Sequence, residues 1–215
     1  MEEYSTLIQT IALTMGVAWA SGLNLYGTLL ALGIMSNTGY VDLPADLQII
    51  GDPLVIAAAG LMYGVEFFAD KIPGVDTGWD TLHTFVRIPA GALLAAGAIG
   101  DVTPAAEMAA AIVGGSLAAG THFTKAGSRV MINTSPEPVS NWAASISEDV
   151  AVFAGLWAAI AHPYVFIALL VAFILLMIWM LPKLWRGIKR VLQFFINLFS
   201  GNSDNPPAAK LPGNK

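Results

Sequence analysis

Two long stretches without a charged side chain constrain the fold of this chain more than any other feature of its sequence. Residues 4–41 and 150–182 contain no Asp, Glu, Lys or Arg. A helix that crosses a bilayer needs about 20 predominantly apolar residues, and both stretches are longer than that. Charged residues make up only 12% of the chain, against about 25% in soluble domains. The sequence therefore predicts an all-α, polytopic membrane helix bundle.

Glycine, proline and polar positions divide the chain into about six predicted spans. They cover residues 7–35, 53–72, 79–100, 104–131, 142–161 and 164–181. Glycines and polar residues at 21–27 interrupt the first span, and those at 114–122 interrupt the fourth. Such segments are typical of kinks or unwound joints in membrane helices.

The two halves of the chain resemble each other weakly. Residues 20–25 are similar to 118–123, and residues 50–57 are similar to 147–154. If this is a true repeat, residues 7–100 and 104–181 each contain three spans. An odd number of spans inverts the second copy, which gives the 3+3 inverted repeat found in transporters, here with an interrupted first helix in each half. Chance similarity between Gly- and Ala-rich helices is the alternative.

Beyond the predicted membrane domain, residues 1–182, the chain becomes basic and aromatic. Residues 183–199 suit an amphipathic interfacial helix, or alternatively a cytoplasmic extension of the sixth span. Residues 200–215 have the composition of a disordered tail.

The distribution of cations predicts the orientation in the membrane. With the N-terminus inside, the outer connections carry Asp and Glu but neither Lys nor Arg, and every cation up to Arg190 lies on the inner side. Cytoplasmic flanks hold the cations, so we expect a protein of the cell inner (plasma) membrane with both termini in the cytoplasm. The net charge of −5 argues against nucleic-acid binding.

The densest polar segment of the sequence is 66–87, between two apolar segments. Asp76, Asp80, His83 and Arg87 are spaced so that they share one helix face. A second polar face, from the other half of the chain, consists of His122, Lys125 and Arg129. The acidic residues expected to pair with these groups are Glu66, Asp70, Glu148 and Asp149. Ionisable groups within membrane spans are functional candidates, although salt bridges that only fix helix ends are the structural alternative.

These residues resemble a known family. Glu66, the run Ala69-Asp70-Lys71-Ile72-Pro73, Asp76, Trp79-Asp80, His83-Thr84, Arg87, Pro89, Gly91 and Ala92, together with Ser21-Gly22-Leu23-Asn24, are similar to the uncharacterised multi-pass family called domain of unknown function 4126. The resemblance covers residues 8–180. It implies that the polar connection between the second and third spans is a feature of the family, and it implies no activity.

The first functional hypothesis is a transporter or channel for a small solute or ion. The expected substrate-binding residues are Gly22, Asn24 and Tyr26 at the first break, Gly120 and His122 at the second, and Arg87, Lys125 and Arg129 on the inner side. The expected proton- or ion-coupling residues are Glu66, Asp70, Asp76, Asp80, His83 and Glu148. Histidine and buried carboxyl groups can titrate near neutral pH, which gives proton coupling a physical basis.

Two other classes stay open at this point. A membrane-embedded, metal-dependent enzyme would use Asp70, Asp76, Asp80 and His83 as ligands, although no specific catalytic motif is present, and a related lipid translocase would bind headgroup phosphates through its cations. A structural or accessory subunit would use its Gly and Ala faces to pack helices or to join copies in a homo-oligomer. We expect the lipid bilayer and a small solute or ion as partners, and no cofactor.

Overall fold

The computed structural model describes residues 2–134 and 138–199, and all regular structure within these residues is helical. In chain order the elements are α1 (Glu2–Leu23), α2 (Leu25–Asn37), a short 3-10 helix (Ala45–Gly51), α3 (Pro53–Ala69), α4 (Val75–Ala98), α5 (Pro104–Ile132), α6 (Pro138–Ala161) and α7 (Pro163–Phe199). The predicted all-α helix bundle is confirmed.

Local sequence signals set several helix ends. Asp52 precedes Pro53 and accepts a hydrogen bond from the backbone N–H of Leu54 at 2.8 Å. An acceptor side chain before a first-turn proline is a strong start signal, because it satisfies an N–H that the helix leaves unpaired. Gly74 and Gly100 separate α3 from α4 and α4 from α5, with φ angles of 85° and 81° that side chains disfavour.

Helices α4 and α5 form the most extensive contact in the bundle, and α1 packs against both. Small residues allow this close approach. A Cβ atom on Gly91 would lie 2.3 Å from the Cβ of Ala118, and one on Gly114 would lie 2.2 Å from the Cβ of Ala95. Small residues at helix contacts are typical of membrane bundles, and here they bring the polar face of α4 against α5.

The outer faces of the bundle are apolar and its interior contains charge. Leu54 and Phe85 are each 81% exposed, whereas Arg87 is 0% exposed. This distribution is the reverse of that in soluble proteins, in which charged side chains are almost never fully buried.

Three helical stretches of the described chain are long and apolar enough to span a membrane: Glu2–Leu23, Val139–Ala161 and Pro163–Gln193. A fourth is added if the 3-10 helix and α3, which are bent by 68°, count as one span. These spans and the apolar exterior indicate a membrane protein.

The predicted interruption of the fourth span is wrong. Helix α5 runs without a break through Gly114, Gly120 and His122. A Cβ atom on Gly120 would lie 2.7 Å from the sulfur of Met177 in α7, so this glycine allows close packing. Sequence alone does not separate the two roles, because glycine permits a close helix contact as readily as it permits a break.

The first predicted interruption is confirmed, since α1 ends at Leu23 and α2 begins at Leu25. Some helix ends differ from the predicted ones: α1 begins at Glu2, α3 ends at Ala69, α4 begins at Val75 and α6 begins at Pro138. Helix α7 continues through Pro182, as in the extension alternative for residues 183–199, whose position relative to a membrane stays a prediction. The tail at 200–215 lies outside the described residues.

Candidate functional site

The polar face of α4 points into the bundle. Asp76, Asp80, His83 and Arg87 are all buried, which agrees with their predicted position on one face. Between them, Phe85 points outward. The period of the helix therefore separates a charged inner face from an apolar outer face.

Arg87 lies at the centre of this face and contacts groups from three helices. Its Nη2 donates to Glu66 Oε1 of α3 at 2.5 Å, and its Nη1 donates to Asp80 Oδ1 at 2.8 Å. Both salt bridges are buried. Removing one partner of such a pair leaves an uncompensated charge in a medium of low dielectric constant.

His122 of α5 is held by the same arginine. Arg87 Nη1 lies 3.2 Å from His122 Nδ1, and Nδ1 accepts because a guanidinium can only donate. His122 Nε2 then carries the ring proton and donates to Thr84 Oγ1 at 2.7 Å, and Thr84 donates to the backbone carbonyl of Asp80 at 3.0 Å. His122 is thus positioned by its side-chain bonds and not by a helix break.

Lys125, also from α5, connects four carboxylates. Its Nζ lies 2.8 Å from Asp70 Oδ2, 3.5 Å from Glu66 Oε1, 3.7 Å from Asp80 Oδ1 and 3.5 Å from Glu148 Oε2. The same Nζ donates to the backbone carbonyl of Leu23 at 3.1 Å. Lys125 therefore links the carboxylates to the last residue of α1.

Arg129, one turn further along α5, binds Glu148 of α6. Its Nη2 donates to Glu148 Oε2 at 2.6 Å, and its Nη1 donates to the backbone carbonyls of Asp70 and Asn141, each at 3.1 Å. Salt bridges thus connect seven side chains into one group, which we call the ionic cluster: Glu66, Asp70, Asp80, Arg87, Lys125, Arg129 and Glu148.

The helix break lies directly beside the ionic cluster. Asn24 has an extended backbone, and its Oδ1 accepts from the N–H of Gly27 at 2.7 Å, which caps α2. Its Nδ2 donates to Asp149 Oδ1 of α6 at 3.0 Å. Asn24 is 1% exposed, so one buried amide both starts α2 and joins it to α6.

Polar groups also close the end of the bundle at which α4 begins. Asp76 accepts from the N–H groups of Gly74 and Thr77 and from the amide of Asn133. In the neighbouring turn, Lys71 donates to Ser145 Oγ at 3.2 Å. Burial lowers the pKa of Lys71 from its ordinary value, because removal of water disfavours its charged form.

Several charged groups of the site keep an unpaired atom. The buried oxygens Glu66 Oε2, Asp70 Oδ1, Asp80 Oδ2 and Asp149 Oδ2 have no hydrogen-bond partner within the described residues. A carboxylate has room for about four hydrogen bonds. The site therefore retains unused hydrogen-bond acceptors among its buried oxygens.

The remaining predicted site residues lie around the ionic cluster. Tyr26 and His83 contact each other, with Tyr26 Oη 3.1 Å from His83 Nε2. The other ring nitrogen of His83 lies 2.9 Å from the carbonyl oxygen of Trp79. Gly22 lies at a helix contact, because a Cβ atom there would be 2.5 Å from the carbonyl oxygen of Ala118. Tyr26 and His83 thus adjoin the site, whereas Gly22 has a packing position.

Three polar residues contribute to the site although the sequence does not predict them for it: Asn133, Asn141 and Ser145. Asp149 is predicted only as an ion-pair partner. The signal was available for one pair: Ser145 and Asp149 are four residues apart, which places them on one face of α6. Polar residues at helical spacing in an otherwise apolar span therefore indicate a buried polar face, as charged residues do.

The four residues suggested as metal ligands do not converge. Asp70 and Asp80 face the cations, Asp76 binds amides, and His83 binds Tyr26 and Trp79. Over residues 2–134 and 138–199, no group of three or more His, Asp or Glu side chains has an arrangement able to hold a metal ion.

The fold and this site together define a class: a helical membrane protein whose charged side chains are enclosed in the bundle beside an interrupted helix. The chain belongs to the family described as Domain of unknown function (DUF4126), whose family model matches residues 11–183. The resemblance predicted from the sequence is thereby confirmed. No curated protein and no solved structure matches the chain.

Proposed function

We propose that this chain is an integral membrane transporter or channel for a small solute or ion. The observation that carries the proposal is the ionic cluster, whose members are buried or nearly so within a bundle that has apolar outer faces. Charges within membrane proteins are costly, and they are found where they line a pathway or bind its cargo.

The unpaired oxygens favour a functional site over a structural one. A polar network that serves only to hold helices together is most stabilising when every member is satisfied. Glu66, Asp70 and Asp80 each retain a buried oxygen without a partner among the described residues. These oxygens offer acceptors to a solute or ion, and the neighbouring guanidinium and ammonium groups offer donors.

The position of the helix break supports the same function. Transporters place their substrate sites at interrupted helices, and Lys125 joins the ionic cluster to the carbonyl of Leu23 directly before the break. The proposed contact residues are Asn24 and His122, with Arg87, Lys125 and Arg129. The proposed coupling residues are the carboxylates of the ionic cluster.

The proposal includes an arrangement in the membrane. Six spans would be formed by α1 with α2, by α3, by α4, by α5, by α6 and by the first part of α7, with both termini in the cytoplasm at the inner (plasma) membrane. Support comes from the cations Lys71, Arg129 and Lys183, which the chain order places at one end. The inverted repeat stays a prediction that rests on the two sequence similarities alone, because α5 has no break to match the one at Asn24.

The test begins with the identity of the ligand. The purified protein is heated in mild detergent with a panel of inorganic ions, small metabolites and phospholipid headgroups. A ligand at 100 times its Kd stabilises a protein by about 2.7 kcal/mol, which is detectable. Ligands that raise the unfolding temperature are then measured for uptake into proteoliposomes.

Two matched variants test whether uptake into proteoliposomes depends on the ionic cluster. Asp80→Asn removes one charge with little change of shape, and Asp101→Asn does the same at an exposed position between α4 and α5. We expect Asp80→Asn to lose at least about tenfold in uptake rate, which corresponds to 1.4 kcal/mol, and Asp101→Asn to transport like the wild type. Uptake no faster than in protein-free liposomes, or equal uptake by a folded Asp80→Asn, would overturn the proposal.

A further inference from the structure

We propose that Asp149 binds one proton inside the bundle and that Asn24 transmits the occupancy of this site to the break between α1 and α2. This inference rests on the transport function proposed above, for which it names the coupling ion and the residue that binds it.

Asp149 differs from the carboxylates of the ionic cluster in having no salt-bridge partner within the described residues. Within the described residues, each carboxylate of the ionic cluster lies within 4.0 Å of a Lys or Arg nitrogen, and Asp149 does not. Asp76 also lacks a cation at this distance, but it accepts several hydrogen bonds, including two from backbone N–H groups at the start of α4. Asp149 accepts a hydrogen bond from Asn24 and has the neutral hydroxyl of Tyr63 as a second hydrogen-bonding neighbour, so the donors that it meets within the described residues are uncharged.

Both positive and negative groups surround Asp149, and their charges together with its own sum to −1. Tyr63 of α3, Asp70 and Lys71 of the following turn, and Lys125 of α5 interact with Asp149 electrostatically. Lys71 is already held by Ser145 and by the carbonyl of Phe67, and Lys125 by the carboxylates of the ionic cluster. Together the ionic cluster, Asp149 and Lys71 contain five carboxylates and four cations, a formal charge of −1.

A proton is the ion that this arrangement accepts most readily. Asp149 is 8% exposed, and an ionised carboxyl group at such a depth without a paired cation is strongly disfavoured. One proton on Asp149 removes the uncompensated charge without displacing any salt bridge. A metal cation would need several converging oxygens, and the described residues show no such group.

The connection to the helix break follows from the two bonds of Asn24. Its Oδ1 caps α2 and its Nδ2 donates to Asp149. A hydrogen bond to an ionised carboxylate is shorter and roughly twice as strong as one to a neutral acceptor. Release of the proton therefore tightens the contact of the break with α6, and uptake of the proton loosens it.

Infrared difference spectroscopy on the purified full-length protein tests the site, since a protonated carboxyl group has a carbonyl stretch of its own. We expect this band in the wild type at neutral pH, its loss in Asp149→Asn, and its retention in Asp101→Asn. Absence of the band from the wild type, or its persistence in a folded Asp149→Asn, would overturn the inference.

If Asp149→Asn does not fold, isotopes keep the question decidable in the wild type. A heavy-carbon label on aspartate carboxyl groups should move the band, and the same label on glutamate should leave it in place. A shift with labelled glutamate would assign the proton elsewhere and refute the proposal.

The transmission through Asn24 is tested by Asn24→Ser, which keeps a cap for α2 but removes the amide that reaches Asp149. We expect this variant to keep the infrared band and to lose uptake driven by a proton gradient. Uptake that stays driven by protons would overturn the role of Asn24. A band without any uptake would leave the proton site standing and would remove the transport function, so the two proposals fail separately.

Discussion

At the scale of single residues, the stability of the charged interior depends strongly on one buried arginine. Arg87 is 0% exposed and binds both Glu66 and Asp80. The two salt bridges offset the desolvation of their three charges only while their geometry is maintained. Breaking a buried salt bridge destabilises the fold by about 3–5 kcal/mol, because the remaining partner is left without a compensating charge.

Replacement of this residue should therefore be far more damaging than replacement of a surface arginine. We expect Arg87→Met to lower the unfolding temperature in detergent strongly, by an amount that reflects about 3–5 kcal/mol. The matched control is Arg186→Met in the exposed part of α7, for which about 0.5 kcal/mol or less is expected. Similar unfolding temperatures for the two variants would show that the salt bridges of Arg87 contribute no net stability.

At the scale of elements, the break at Asn24 depends on one side chain. The Oδ1 of Asn24 satisfies the N–H of Gly27, a role that serine can take over and alanine cannot. We expect Asn24→Ala to be less stable than Asn24→Ser by about 1 kcal/mol, the typical value of a helix cap. Comparison of the two unfolding temperatures isolates the cap, because both variants lose the bond to Asp149. Equal temperatures would mean that α2 begins without help from its cap.

Two glycine substitutions separate packing from helix propensity. A Cβ atom at Gly114 would lie 2.2 Å from the Cβ of Ala95, whereas at Gly64 of α3 it would meet no atom within 4 Å. Gly64→Ala should stabilise by about 0.5–1 kcal/mol through reduced backbone freedom. Gly114→Ala should instead destabilise by about 1–3 kcal/mol, because it forces α4 and α5 apart. If both changes shift the unfolding temperature in the same direction, the close contact of these helices is not a source of stability.

These elements also show what the sequence could predict. Helix type and most helix positions follow from apolar content, proline and capping residues, which are local properties. The shared face of Asp76, Asp80, His83 and Arg87 follows from the helix period. The continuity of α5 does not follow, because a glycine's role depends on which residue of another helix lies opposite it. That Asp149 forms no salt bridge among the described residues is likewise a consequence of how α3, α5 and α6 meet.

At the scale of the whole molecule, the orientation proposed for the bundle in a bilayer can be tested at the two ends of α5. Helix α5 has 29 residues, which at 1.5 Å per residue is about 44 Å. That exceeds the hydrocarbon core of about 30 Å, so a spanning α5 has its two ends on opposite sides. Asp101 lies before this helix and Thr134 after it, and both are exposed.

The chain has no cysteine, so single cysteines introduced at these two positions report their sides without further changes. With cytoplasmic cations, Asp101→Cys should react with a membrane-impermeant maleimide on intact cells. Thr134→Cys should react only after the membrane is permeabilised. The opposite pattern would reverse the orientation and place Lys71 and Arg129 at the outer surface. Equal labelling of both positions on intact cells would show that α5 does not cross the membrane. The ionic cluster would then lie outside the bilayer, and its burial would need a different explanation.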